Sequence, residues 1–129
     1  FFTERLFWLY WFPLIIYCLA IFIQSSYPSP QRLPSFPYGD KAMHFAAYGI
    51  MGGLFSRALK MTRPSLRSIP IMFFSALFAA LYGVGDEIHQ IFVTSRTADQ
   101  MDVFADFLGG TFGAVCFYRV AGLFGPKDR

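Results

Sequence analysis

The sequence predicts an all-α membrane protein, a single domain over residues 1–129 built as a four-transmembrane-helix bundle with cytoplasmic N- and C-termini. Three observations carry this. The chain is too apolar for a water-surrounded domain: 55% of its residues are hydrophobic, 20% aromatic and 15% charged, whereas soluble domains carry about 25% charged residues. Its 17 phenylalanines exceed what a small core hides, since small domains bury only about two-thirds of their unfolded surface. Apolar runs recur four times, each near the length that crosses about 30 Å of hydrocarbon at about 1.5 Å per residue. The runs are continuous rather than alternating, which excludes a β-barrel and leaves helices as the way to satisfy the backbone in lipid.

The helices are expected over 6–23, 42–59, 69–90 and 102–124. In the first, Pro13 is expected to introduce a kink, and no small-residue cleavage site marks the run as a signal peptide. The connection that follows, SSYPSPQRLPSFPYGD, carries Pro28, Pro30, Pro34 and Pro37. They favour extended backbone, so this segment reads as a lid or strap. The second helix covers 42–59. The third is apolar to about Gly85, with Pro70 in its first turn, where proline is tolerated. Trp8, Tyr10 and Trp11 near one membrane edge, and Tyr27, Phe36 and Tyr38 near the other, suit interfacial belts. Cys18 and Cys116 sit inside apolar runs as small hydrophobes. Their depths differ by about 12 Å, too far for a disulfide.

Loop charges give the orientation. With the N-terminus inside, Arg5, Arg57, Lys60, Arg63, Arg67, Arg119, Lys127 and Arg129 lie on the inner side, against Arg32, Lys41 and Arg96 outside, as the positive-inside rule requires. Arg57 and Arg119, just inside helix ends, are placed to snorkel to inner headgroups. The same topology leaves only Glu4 and Asp128 inside and puts Asp40, Asp86, Glu87, Asp99, Asp102 and Asp106 outside.

Capping explains part of this acidic edge. Asp40 suits the N-cap of the second helix and Asp99 or Thr97 that of the fourth, with Asp102 in its first turn. Asp86 and Glu87, near the unfavourable C-terminal end of the third helix, and Asp106, one turn deeper than Asp102, need partners instead. Helical spacing supplies them: Asp40, His44 and Tyr48 recur every four residues, and Glu87 and Gln90 extend a small-residue face through Ala76, Ala80 and Gly83. Asp102, Asp106, Gly109, Gly110 and Gly113 share one side of the last helix. Small residues let membrane helices approach closely, so the polar stripes are expected to meet inside the bundle.

In their order, Asp40-Lys41-Ala42-Met43-His44 with Tyr48, then Asp86-Glu87-Ile88-His89-Gln90, Arg96, Asp99, Asp102 and Asp106-Phe107-Leu108-Gly109 resemble the VanZ-like family of bacterial integral membrane proteins. The resemblance spans about residues 25 to 115. At position 106 that family more commonly has asparagine. The resemblance implies a small multi-pass protein of the cell (inner or plasma) membrane, with a namesake linked to resistance against the glycopeptide teicoplanin.

Two uses of the cluster follow from its chemistry. As a binding or remodelling site facing outward, it would engage membrane lipids, a lipid-linked envelope precursor or a glycopeptide, through Asp40, Lys41, His44, Tyr48, Asp86, Glu87, Gln90, Arg96, Asp99, Asp102 and Asp106. Arg96 and Lys41 suit phosphate or carboxylate. As an enzyme, His44 beside Glu87 or Asp106 offers acid–base chemistry, and the carboxylates with an imidazole suit a divalent cation. No H-E-x-x-H or G-x-S-x-G motif decides between them. A third class makes the cluster interhelical glue and an assembly surface, so an oligomer stays open. The positive charges form no aromatic-interleaved patch, which argues against nucleic acid.

Overall fold

A computed structural model of the chain describes residues 3–27, 39–93 and 100–124, with the backbone alone at Asp40 and at 122–124. The regular structure in these residues is helical throughout: α1 Glu4–Ser25, α2 Gly39–Thr62, α3 Ser68–Gln90 and α4 Gln100–Phe124. Each helix outruns its expected bounds by no more than three residues at either end. The proline-rich strap over 28–38 lies outside the described residues.

Pro13 acts on α1 as its chemistry demands. Lacking an N–H, it leaves the Leu9 carbonyl without a helical donor, and the turn before it, Phe7–Trp11, opens into π-helix, closed by Phe12 N–H donating to the Phe7 carbonyl. Arg57 Nη1 donates to the stranded Leu9 carbonyl at 3.3 Å, and its guanidinium lies 4.6 Å from the Tyr10 ring centroid. Arg57, expected to reach for headgroups, is thus held by α1, because an unsatisfied carbonyl and an aromatic face lie within its reach.

α2 and α4 share the most extensive contact, α3 packs chiefly on α4, and α1 lies at the periphery with only Leu14 and Ser25 buried. The α2–α4 seam is backbone on backbone. A Cβ at Gly52 would strike the Gly110 backbone, one at Gly109 the Phe45 backbone, and one at Gly113 the Gly49 carbonyl. On α3 the buried small residues are Ala76, Ala79 and Gly83, with Ala80 turned partly outward. Ala79 takes the position expected for Ala80 because it is the side chain that meets Gly110. α1 is tied on by Tyr17 OH donating to the Ala47 carbonyl at 2.5 Å, Tyr82 OH to the Cys18 carbonyl at 2.5 Å, and Trp11 Nε1 to Thr62 Oγ1 at 3.3 Å. Cys18 and Cys116 are both free thiols.

Outward faces are apolar: Phe73, Leu81, Ile88, Phe104 and Phe112 are each more than half exposed, a surface that hydrocarbon rather than water suits. Among the described residues three helical stretches, Glu4–Ser25, Ser68–Gln90 and Gln100–Ala121, are long and apolar enough to cross a membrane. α2, expected as a fourth span, has the length, about 36 Å at 1.5 Å per residue, but Lys41, His44, Arg57 and Lys60 make it less apolar.

Within the bundle, Ser56 and Ser75 face each other at 2.6 Å, both fully buried. Ser56→Ala leaves one buried hydroxyl with a lost partner and is expected to cost about 1 kcal/mol, read as a shifted unfolding midpoint in mixed micelles.

Candidate functional site

The C-terminal ends of α1 and α3 lie together with the N-terminal ends of α2 and α4. At that end Lys41, His44 and Tyr48 fall on one face of α2, being three and four residues apart, and Asp102 and Asp106 fall one turn apart on α4. The glycine seam sets those two faces in contact. Lys41 Nζ pairs with Asp102 Oδ1 at 2.8 Å, His44 Nδ1 lies 2.8 Å from Asp106 Oδ1, and His44 Nε2 faces Asp102 Oδ2 at 3.6 Å.

α3 completes the group with Glu87. His44, Glu87 and Asp102 each present one nitrogen or oxygen that lies within 4.8 Å of those of the other two. Asp106 is the deepest member, 0% exposed. Its second oxygen, Oδ2, has no hydrogen-bond partner among the described residues and rests over Gly83, where a Cβ would approach it to 2.5 Å. Gly83 is therefore the opening in α3 that admits the carboxylate.

Tyr48 lies below, its ring stacked near-parallel on His44 with centroids 6.1 Å apart. Its residue exposure is 1%, and its hydroxyl makes no hydrogen bond among the described residues. The charges that act on it are Asp106, Asp86 and Glu87.

Asp86 goes elsewhere. Its neighbour in sequence points about 100° away around the helix, so Glu87 meets α2 and α4 while Asp86 turns toward α1 and accepts a hydrogen bond from Ser25 Oγ. Ser25 was not legible as a site residue; a serine just past an apolar run carries no signal. Gln90 is buried at the same end. His89 stacks on Phe22 at 4.6 Å and pairs with Ser26 Oγ at 2.9 Å. Beside Asp86, a cavity of about 290 Å³ is lined by Phe22, Leu81, Tyr82 and Gly85.

Of the expected site residues, Lys41, His44, Tyr48, Glu87, Asp102 and Asp106 come together. Asp86 joins the α1 side, and Gln90 is buried at the C-terminal end of α3. Arg96, Asp99 and the Asp40 side chain lie outside the described residues. Asp40, expected as a cap, instead falls in the first turn of α2, which begins at Gly39.

The arrangement has definite chemical capacity. With Asp106 ionised, its carboxylate only accepts, so the 2.8 Å contact is His44 Nδ1–H donating to it. The Nε2 lone pair is then directed toward Asp102. Three carboxylates, Glu87, Asp102 and Asp106, gather near the His44 imidazole, and one ammonium, Lys41, pairs with Asp102. Such a pocket suits a cation or an ammonium group, or a proton acceptor held in one tautomer.

Residues 7–122 match the family described as VanZ/LLP1. No curated protein and no solved structure matches the chain.

Proposed function

The chain belongs to the VanZ/LLP1 family, and on that premise we propose that it is a multi-pass cell-membrane protein whose polar pocket binds or remodels an amphiphilic envelope component. In this reading α2 is a fourth span and both termini are cytoplasmic. The pocket then opens on the extracytoplasmic side, and its ligand is a lipid headgroup, a lipid-linked precursor or a teicoplanin-type glycopeptide. The observation that carries it is the gathering of buried Glu87, Asp102 and Asp106 and half-buried His44, from three helices, at one end of an otherwise apolar bundle. Ionisable groups in membrane segments are costly and mark functional pathways or sites. Interhelical hydrogen bonds contribute only about 0.6 kcal/mol on average, too little to account for so many charges as glue.

The neighbouring cavity favours an amphiphile. Its walls are Phe22, Leu81 and Tyr82, with Leu81 63% exposed on the apolar exterior, and Asp86 stands among them. An acyl chain along Phe22 and Leu81 would put its headgroup beside Asp86, the sequence neighbour of Glu87. A second reading, a membrane-embedded enzyme acting on an envelope lipid, draws on the His44–Asp106 pair, since an imidazole oriented by a buried carboxylate is the usual form of a general base.

The test is binding of headgroup-defined lipids, an undecaprenyl pyrophosphate analogue and teicoplanin to the full chain in nanodiscs. Glu87→Ala is expected to weaken retention of the preferred ligand at least tenfold while membrane abundance stays within about twofold, and Ser56→Ala, at the far end of the bundle, to leave it unchanged. Full retention by Glu87→Ala removes the proposal. Turnover of the bound lipid, lost with His44→Gln, decides for the enzyme reading.

A further inference from the structure

We infer that the pocket holds a divalent first-row transition ion, Zn²⁺ or Mn²⁺, ligated by His44 Nε2 and by carboxylate oxygens of Glu87 and Asp102. The inference rests on the pocket proposed above and adds the identity of its resident group.

Geometry comes first. Ligands about 2.1 Å from a tetrahedral ion stand about 3.4 Å from one another. His44 Nε2 and Asp102 Oδ2 are 3.6 Å apart, too long for a good hydrogen bond between them and close to that ligand–ligand spacing,. Glu87 closes the triangle, with all three donor atoms within 4.8 Å of one another, so modest side-chain rotation brings them onto one ion.

The surroundings are those of a metal-bearing histidine. A ligating imidazole almost always donates its other ring N–H to a carboxylate, which fixes the tautomer and raises the basicity of the ligand nitrogen. Asp106 takes that part, fully buried and 2.8 Å from Nδ1. Lys41 occupies Asp102 Oδ1 and leaves Oδ2 facing the imidazole.

An independent observation comes from Tyr48. Its hydroxyl is buried beneath His44 among the charges of Asp106, Asp86 and Glu87, without a hydrogen bond among the described residues. A buried polar group of this kind requires a partner, and a water completing the coordination of an ion above it supplies one. An imidazole beside carboxylates suits a transition ion such as Zn²⁺ or Mn²⁺, whereas Ca²⁺ takes six to eight oxygen ligands and no imidazole.

The full chain, purified in detergent and stripped with a chelator, is titrated with Zn²⁺ and Mn²⁺, using Mg²⁺ and Ca²⁺ as comparators. One ion per chain is expected for Zn²⁺ or Mn²⁺, with X-ray absorption showing imidazole and oxygen scatterers near 2.0–2.1 Å. His44→Gln and Glu87→Gln should each weaken binding at least 100-fold, Asp106→Ala by 10- to 100-fold because the His44 ring loses the carboxylate that orients it, and His89→Gln not at all. No stoichiometric ion on folded wild-type protein, binding unchanged in His44→Gln and Glu87→Gln, or spectra without imidazole scattering each overturn the inference. Absorption on wild-type protein keeps the test decisive should a variant misfold. Wild-type protein that retains lipid but takes up no stoichiometric Zn²⁺ or Mn²⁺ would sink the ion alone. Ion-loaded protein that retains no envelope ligand would sink the binding reading alone.

Discussion

Asp106→Ala is expected to destabilise the bundle by about 3–5 kcal/mol and to abolish ligand retention. Among the described residues Asp106 is the one fully buried carboxylate, so alanine removes the acceptor of the His44 Nδ1–H and leaves a half-buried imidazole without that anchor. It also empties the space over Gly83 that the carboxylate fills. Asp106→Asn separates geometry from charge. The amide oxygen still accepts from Nδ1–H at the same position, so the fold should lose under about 2 kcal/mol while the pocket loses one negative charge. Unfolding midpoints in mixed micelles, beside ligand retention in nanodiscs, read the two effects. Equal damage from both substitutions would mean that the charge of Asp106, rather than its hold on the imidazole, is what the pocket requires.

Gly113→Ala carries the second large effect. A methyl there has no free volume: it would run into the Gly49 carbonyl across the tightest seam in the molecule. Overpacking of this kind costs about 1–3 kcal/mol, and here backbone rather than a flexible side chain must yield, so the upper end is expected. Because α2 and α4 also carry His44 and Asp106, pushing them apart should weaken the site along with the fold. Gly85→Ala is the matched control. Nothing lies within 4 Å of a Cβ at Gly85, and alanine is about 1 kcal/mol the better helix former, so that variant should be neutral to slightly stabilised. Expression in the membrane fraction and the micelle unfolding midpoint measure both, and equal behaviour of the two variants would contradict the backbone-contact account of the seam.

Much of the architecture was legible because lipid leaves the backbone few choices. Continuous apolar runs located all four helices to within three residues, and the Asp102–Asp106 and His44–Tyr48 spacings fixed which side chains share a face. The Gly109, Gly110 and Gly113 stripe likewise announced a close approach before any partner was known. Polarity was the weaker guide. α2 has the length of a span, but Lys41, His44, Arg57 and Lys60 make it less apolar than its neighbours, and Arg57, a headgroup anchor by position, donates to the carbonyl that Pro13 strands in another helix.

What the sequence by itself determined is therefore local and periodic: helices, their buried stripes and the end of the bundle where ionisable groups collect. These follow from a 3.6-residue repeat and the cost of an unsatisfied backbone in hydrocarbon. Only the tertiary structure decided partnership. Asp86 and Glu87 are adjacent in the chain, yet the first answers Ser25 on α1 and the second joins His44 and Asp102. Asp106, not Glu87, is the hydrogen-bond partner of His44 Nδ1. Those pairings depend on how closely helices far apart in sequence approach and how each is rotated against its neighbour. That is set by glycines at the seam and by Gly83 opposite the Asp106 carboxylate, contacts that no single helix contains.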